Sequence, residues 1–300
     1  MRPLHLAFLL LINLLWAINM VAMKEAVSLV PPILATALRF ALVFVACASA
    51  LRRVPGRMRL VAAAAIITGA LQFGLVSTSY HLATNLSALA IAAQAGVPLS
   101  LLLAVLVDKE RIAWRRTLGI LLATGGVALL SFDPAIAGER LAIATTVGAS
   151  ACWAMGNLLF KRLAGVPVTT LFAWQGLVSF PLLFLASFLF EPGALAALPQ
   201  TPMAGFLWIA YTAIAASLVG HAGMSWLLQR YPVSTITPLT LATPLLAVGV
   251  VTAVYGTPLT PVMVAGGLMA LGGVAIIALR SARAAPGGAA TGARGDRQTS

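Results

Sequence analysis

The sequence predicts an all-α integral membrane protein with ten transmembrane helices arranged as two inverted five-helix repeats. Three observations carry this: the apolar content, the spacing of the apolar runs, and the likeness of the second half of the chain to the first. Of the 300 residues, 61% are hydrophobic and 9% charged, with a mean hydropathy of +1.00. One water-soluble core cannot enclose that much apolar surface, so lipid must solvate most of it. Apolar runs of about 20 residues, the length that crosses a hydrocarbon layer roughly 30 Å thick, recur along the chain. The runs are continuous rather than alternating, which excludes a transmembrane barrel.

The first run, from Leu4 to about Met23, is too long for a signal-peptide core and lacks a clear cleavage site, so it is read as a retained helix. Four more follow, at about Pro32 to Leu51, Leu60 to Tyr80, Leu86 to Val107 and Thr117 to Phe132. The second half repeats the count at about Leu141 to Phe160, Thr169 to Phe190, Met203 to Leu228, Val233 to Tyr255 and Pro261 to Leu279. Residues 1–132 thus form the first repeat and 141–280 the second. Residues 281–300, rich in Gly, Ala and Arg, read as a disordered cytoplasmic tail.

A net charge of +12 would suggest nucleic acid in a soluble protein, but here the basic residues cluster between apolar runs and no nucleic-acid partner is expected. Assigning loops alternately to two faces puts sixteen of the 19 Lys and Arg residues on one of them, including Arg52, Arg53, Arg57, Arg59, Lys161, Arg162 and Arg230. The other face holds Lys24 and Arg140, and Arg39 lies inside the second span. The positive-inside bias then places both termini in the cytoplasm, in a multi-pass protein of the cell inner membrane. Cys47 and Cys152 are isolated in apolar segments and indicate neither a disulfide framework nor a metal site.

The halves share their landmarks in order. Trp16-Ala17 followed by Lys24 is matched by Trp153-Ala154 followed by Lys161. Arg39 corresponds to Gln175, Ser79-Tyr80 to Ser225-Trp226, Pro98 to Pro244, and Gly125-Gly126-Val127-Ala128 to Gly272-Gly273-Val274-Ala275. An odd number of helices per repeat forces opposite orientations. Inverted repeats of this kind are typical of secondary transporters, whose substrate sits near the midplane between them.

These landmarks, with the Ala-Leu-Arg-Phe stretch at 37–40, Ala-Trp-Gln at 173–175 and Glu110 after the fourth span, make the chain resemble the EamA type of the drug/metabolite transporter superfamily. The resemblance covers nearly everything but the tail. It implies a ten-helix carrier, often an exporter of amino acids or other small metabolites, with a central cavity between the halves. One departure is Gly256-Thr257-Pro258, where the second half usually repeats the Glu found at Glu110. A symmetric salt bridge at that end is therefore in doubt.

Polar side chains within the spans normally face the bundle or a wet cavity, because lipid cannot satisfy them. They nominate the cavity wall: Asn13, Trp16, Asn19, Gln72, Tyr80, Gln94, Trp153, Asn157, Tyr211, His221, Thr240 and Thr243. Asn13, Trp16 and Asn19 share a helix face, as do Trp153 and Asn157. An amide beside an indole suits an amino acid or similar zwitterion, although amides also tie transmembrane helices together. Pro98 and Pro244 remove backbone hydrogen bonds within their spans and are candidate hinges. Arg39 is read as a structural charge rather than a substrate ligand, and Glu110 likewise.

Every acid falls in a loop, at a span end or in the tail, which leaves no carboxylate in the membrane as a proton relay. Protons as a coupling partner would have to act through His221 or His81. No catalytic set, metal cluster, cofactor motif or phosphate loop stands out, so no enzyme, metal or cofactor is expected. The expected partners are a small-molecule substrate and the bilayer, with the oligomeric state open. The reading is an exporter of a small polar metabolite such as an amino acid, working by alternating access. A drug or sugar-conjugate carrier is the rival within the fold, and a non-transporting receptor or assembly protein the rival outside it.

Overall fold

A computed structural model describes residues 1–109, 114–228, 230–231, 236 and 239–284. Glu110 lies outside them, as do residues 285–300. The described chain is built of helices. Helix α1 (Pro3–Leu29) opens on a proline, whose fixed φ and missing N–H suit a first turn, and ends where Val30 turns extended. Helix α2 (Pro32–Cys47) also opens on a proline. Helix α3 (Met58–Leu82) contains a π-helical stretch at Ile66–Leu71. Helix α4 consists of Leu86–Ala92 and Gly96–Asp108 joined by a 3₁₀ turn at Ala93–Ala95.

Helices α5 (Trp114–Ser131), α6 (Arg140–Arg162) and α7 (Val168–Phe190) follow. Helix α8 runs through Met203–Tyr211, a π-helical Thr212–His221 and Ala222–Leu228. Helices α9 (Ala242–Tyr255) and α10 (Pro261–Ala284) complete the order. Among the described residues, eight helices are long and apolar enough to cross a membrane, while α9 and the apolar part of α5, Thr117–Leu130, are shorter.

The predicted start of the ninth span at Val233 lies outside the described residues, with Ile236, Leu239 and Thr240 helical ahead of α9, and α10 continues to Ala284, beyond the predicted start of the tail at Ser281. Pro98 and Pro244 are each the third residue of a segment in regular α-helical form, and in α4 that segment continues directly from the 3₁₀ turn, so the irregular backbone lies just upstream of Pro98 within the span.

Two antiparallel seams hold the bundle. In the first, α5 lies against α10 at backbone contact: a Cβ on Gly126 would sit 2.4 Å from the Gly266 carbonyl, and one on Gly273 2.5 Å from the Gly119 carbonyl. Only glycine permits this approach. In the second, α2 meets α7 with Gly176 against the Phe44 backbone, 2.7 Å from a built Cβ to the Phe44 nitrogen.

The bundle has chemically distinct ends. At one end lie the four carboxylates whose side chains are described, and three of them cap helices. Glu191 accepts from the N–H groups of Ile33 (2.7 Å) and Leu34 (3.0 Å), the otherwise unpaired first amides of α2. Glu139 accepts from the backbone and hydroxyl of Thr84 and from the N–H of Asn85 (3.1 Å), at the entry to α4. Asp133 accepts from the N–H of Ala135 (2.9 Å) and from the Thr260 hydroxyl, which itself caps α10 through Met263. Glu25 accepts from the Tyr255 hydroxyl at 2.6 Å. The other end carries Arg52, Arg53, Arg57, Arg59, Lys161, Arg162 and Arg230.

Candidate functional site

A cavity of about 740 Å³ lies between α1, α3, α4, α6, α9 and α10. Of the polar residues singled out by sequence, Trp16, Gln72, Tyr80, Gln94, Trp153, Asn157, Thr240 and Thr243 line it. Ser79, Ser100, Thr146 and Ser150 add hydroxyls that sequence reasoning passed over, since serine and threonine are too common in membrane helices to stand out alone. The rest of the wall is apolar, including Met20, Val97, Leu101 and Pro244. A mostly apolar hollow with a few placed polar groups is the usual form of a small-molecule site.

Two indoles line the hollow in different states. The Trp16 N–H donates to the Ala216 carbonyl (3.1 Å), and its ring leaves no room for a Cβ on Gly220. Trp153 packs its ring on Gly96 of α4 and is 41% exposed. One turn on, Asn157 is also exposed and donates to the Ser100 hydroxyl at 3.3 Å. Gln94 donates to the Ala90 carbonyl one turn earlier in its own helix (3.3 Å). Helix α6 therefore presents an indole and an amide to the cavity, whereas on α1 the indole is tethered.

Four of the twelve nominated residues lie elsewhere. Asn13 is fully buried and ties α1 to the start of α9, donating to the Leu239 carbonyl (3.0 Å) and accepting from the Thr243 hydroxyl (2.8 Å). The Tyr211 hydroxyl donates to the Leu15 carbonyl (3.1 Å). His221 is off the cavity wall, stacked on Phe172 with ring centroids 5.8 Å apart and edge-on to Trp16 at 5.3 Å. Asn19 is partly buried, and its Oδ1 has no hydrogen-bond partner. His81 sits at the acidic end, its Nδ1 3.3 Å from the Val27 carbonyl.

The cavity lining is buried at Leu89 and Ala90, near the acidic end, and exposed at Trp153 and Asn157 on α6, the helix that runs on to Lys161 and Arg162. Lys24 on α1 donates to the carbonyls of Tyr80 (2.8 Å) and Ala83 (2.6 Å), the unpaired carbonyls at the end of α3. Tyr255 ties α9 to α1 through Glu25, and the hydroxyls of Ser87 and Thr252 meet at 3.3 Å between α4 and α9. Ala83, Leu86, Ser87, Ala88 and Leu89 are all buried beneath this layer. Glu139 and Asp133, which sequence reasoning placed in a loop, are buried as well, and one oxygen of Glu139 has no partner. The Asn85 cap at the start of α4, accepting from Ser87 (3.1 Å) and Ala88 (3.3 Å), is the sequence signal that could have located this plug.

Arg39 is buried between α1, α3 and α8. Its guanidinium donates to the Ser217 hydroxyl (2.8 Å), touches the Met23 sulfur (3.5 Å) and lies 4.1 Å above the Phe73 ring. Gln175 on α7 donates to the Thr68 hydroxyl at 3.0 Å. Ser217 and Thr68 both belong to π-helical stretches, which begin at Thr212 and Ile66 with the same offset as Ser225 from Ser79. Such wide turns concentrate at functional sites. Among the described residues no three His, Cys, Asp or Glu side chains lie close enough together to hold a metal ion.

Apolar helices packed about a polar-studded cavity, plugged at one end, define a multi-pass membrane protein with a small-molecule site. The chain belongs to the EamA-like transporter family, whose model matches residues 4–132 and again 140–279. It is similar to a probable amino-acid metabolite efflux pump of Salmonella typhimurium strain LT2, 29% identical over 280 residues that cover 89% of this chain and 92% of the relative. A protein of the same description from Escherichia coli strain K12 is 27% identical over 278 residues, with the same coverage. A solved crystal structure with 18% identity covers 94% of this chain and 99% of its own at a TM-score of 0.61, which speaks to the fold alone.

Proposed function

We propose that the chain is a secondary transporter of the inner membrane that exports a small polar metabolite, such as an amino acid, by alternating access. The observation that carries this is the cavity of about 740 Å³, crossed by side-chain ties at the acidic end and lined by the exposed Trp153 and Asn157 on the helix that leads to the basic end. By the positive-inside bias the basic end is cytoplasmic, so this conformation is the one that loads substrate from inside. Both termini are then cytoplasmic. The two halves are oppositely inserted repeats, a reading supported by the paired seams, the matched π-helical stretches and the two-part family match. The names of the two relatives supply the amino-acid class.

The test is uptake into proteoliposomes over a panel of amino acids and related metabolites, with and without a pH gradient. Wild-type protein should move at least one solute above the protein-free background. Gln94→Leu and Asn157→Leu, which remove polar groups from the wall, should cut that uptake about tenfold while leaving folding intact. Specific binding with no translocation of any solute would instead favour the receptor reading.

A further inference from the structure

We propose that Arg39 makes the cavity selective for solutes carrying a carboxylate, its charge acting from one side-chain layer behind the wall. The inference rests on the transport reading and names the residue that sets its substrate class.

Each contact of Arg39 adjoins a residue of the cavity wall. Met23 is one turn beyond Met20 on the same face of α1, and Phe73 follows Gln72 on α3. Ser217 follows Ala216, whose carbonyl holds the indole of Trp16. Among the described residues its hydrogen-bond and ring partners include no carboxylate.

The charge is surplus to the structural bond that Arg39 makes. Gln175 makes the same kind of bond, from α7 to a hydroxyl in the π-helical stretch of α3, with a neutral amide. A hydrogen-bond donor is sufficient there. Arg39 instead brings a guanidinium, which keeps its charge in proteins, into a buried site where, among the described residues, its hydrogen-bond and ring partners are neutral and its Nε has no partner. Burying a charge without a counter-ion is costly. An anionic group arriving in the cavity offsets that cost, and a cationic or neutral solute does not. The field of a buried charge is weakly screened, so it reaches through one layer of side chains.

The experiment pairs each transported amino acid with its carboxamide and its decarboxylated amine in proteoliposomes. Wild-type protein should take up the acid at least tenfold faster than either derivative. Arg39→Gln copies the residue that the second half carries at this place. It should bring the ratio within about twofold of one while keeping uptake of the derivatives, and Arg39→Lys should retain a preference. Gln72→Glu, which leaves Arg39 in place and adds a carboxylate to the wall beside Phe73, should also collapse the preference, so the test survives if Arg39→Gln does not fold. A wild-type ratio near one, or an unchanged ratio in Arg39→Gln or Gln72→Glu, overturns the proposal and leaves the transport reading standing. No uptake of any solute by the wild type overturns both.

Discussion

Arg39 donates to Ser217 across 2.8 Å, joining α2 to the widened turn of α8, and Gln175 repeats the bond from α7 to Thr68 in the widened turn of α3. Ser217 also donates to the Thr212 carbonyl (2.9 Å) and Thr68 to the Ala64 carbonyl (2.7 Å). Each hydroxyl thus serves both its own irregular helix and a neighbouring one. The two clasps differ in charge, which separates their energetic weights.

Ser217→Ala should destabilise the protein more than Thr68→Val. The first leaves a buried guanidinium short of its best acceptor, a loss of about 1.5–3 kcal/mol for a hydrogen bond to a charged group. The second removes a neutral bond of about 1 kcal/mol. Thermal unfolding in detergent of the two variants and wild type gives the order, and a Thr68→Val protein less stable than Ser217→Ala contradicts the assignment.

Gly126→Ala should cost about 1–3 kcal/mol by overpacking the α5–α10 seam, since the new methyl would meet the Gly266 carbonyl at 2.4 Å and neither backbone can yield alone. Gly249→Ala is the control, because a Cβ there meets nothing within 4 Å. It should be neutral or slightly stabilising, as alanine is the better helix former. Equal melting temperatures for the two variants would refute the close approach.

The helices were legible because lipid imposes length and hydropathy on every span, whereas the seam glycines stood out as landmarks of the repeat and not as a point of backbone contact. The orientation of single polar side chains was not. Asn13 and Trp16 share a face of α1, yet the amide ties to α9 while the indole borders the cavity, because helix neighbours decide which part of a face is wall and which is seam. Pro98 signalled irregular backbone in α4 but not that it would take the form of a 3₁₀ turn just upstream of the proline. Glu139 looked like a loop acid because its burial depends on Thr84 and Asn85, more than fifty residues earlier in the chain. The π-helical stretches carry no marker in composition at all.

Lys24→Met should loosen the acidic end. Lys24 supplies the donors for the carbonyls of Tyr80 and Ala83, and methionine keeps the stem length without them. Ser87→Cys, placed in a background where Cys47 and Cys152 are alanine, reports on the plug because Ser87 is fully buried. Labelling by a membrane-impermeant maleimide from the acidic face should rise at least threefold when Lys24→Met is added. An unchanged rate would show that Lys24 does not hold the plug shut.

The two cavity indoles should fail in different ways when removed. Trp16 is locked, with its N–H on the Ala216 carbonyl and its ring against Gly220, so Trp16→Ala opens a hole in a packed seam and costs about 3–5 kcal/mol. Trp153 is 41% exposed, so its ring borders open space on one side and Trp153→Ala should cost much less. Its loss should appear instead in uptake, as a raised half-saturation concentration, because the ring supplies apolar contact to a solute in the cavity. Thermal unfolding and proteoliposome uptake measured on the same two preparations separate these effects. A Trp153→Ala protein that melts as early as Trp16→Ala while transporting normally would move Trp153 from the substrate wall to the structural core.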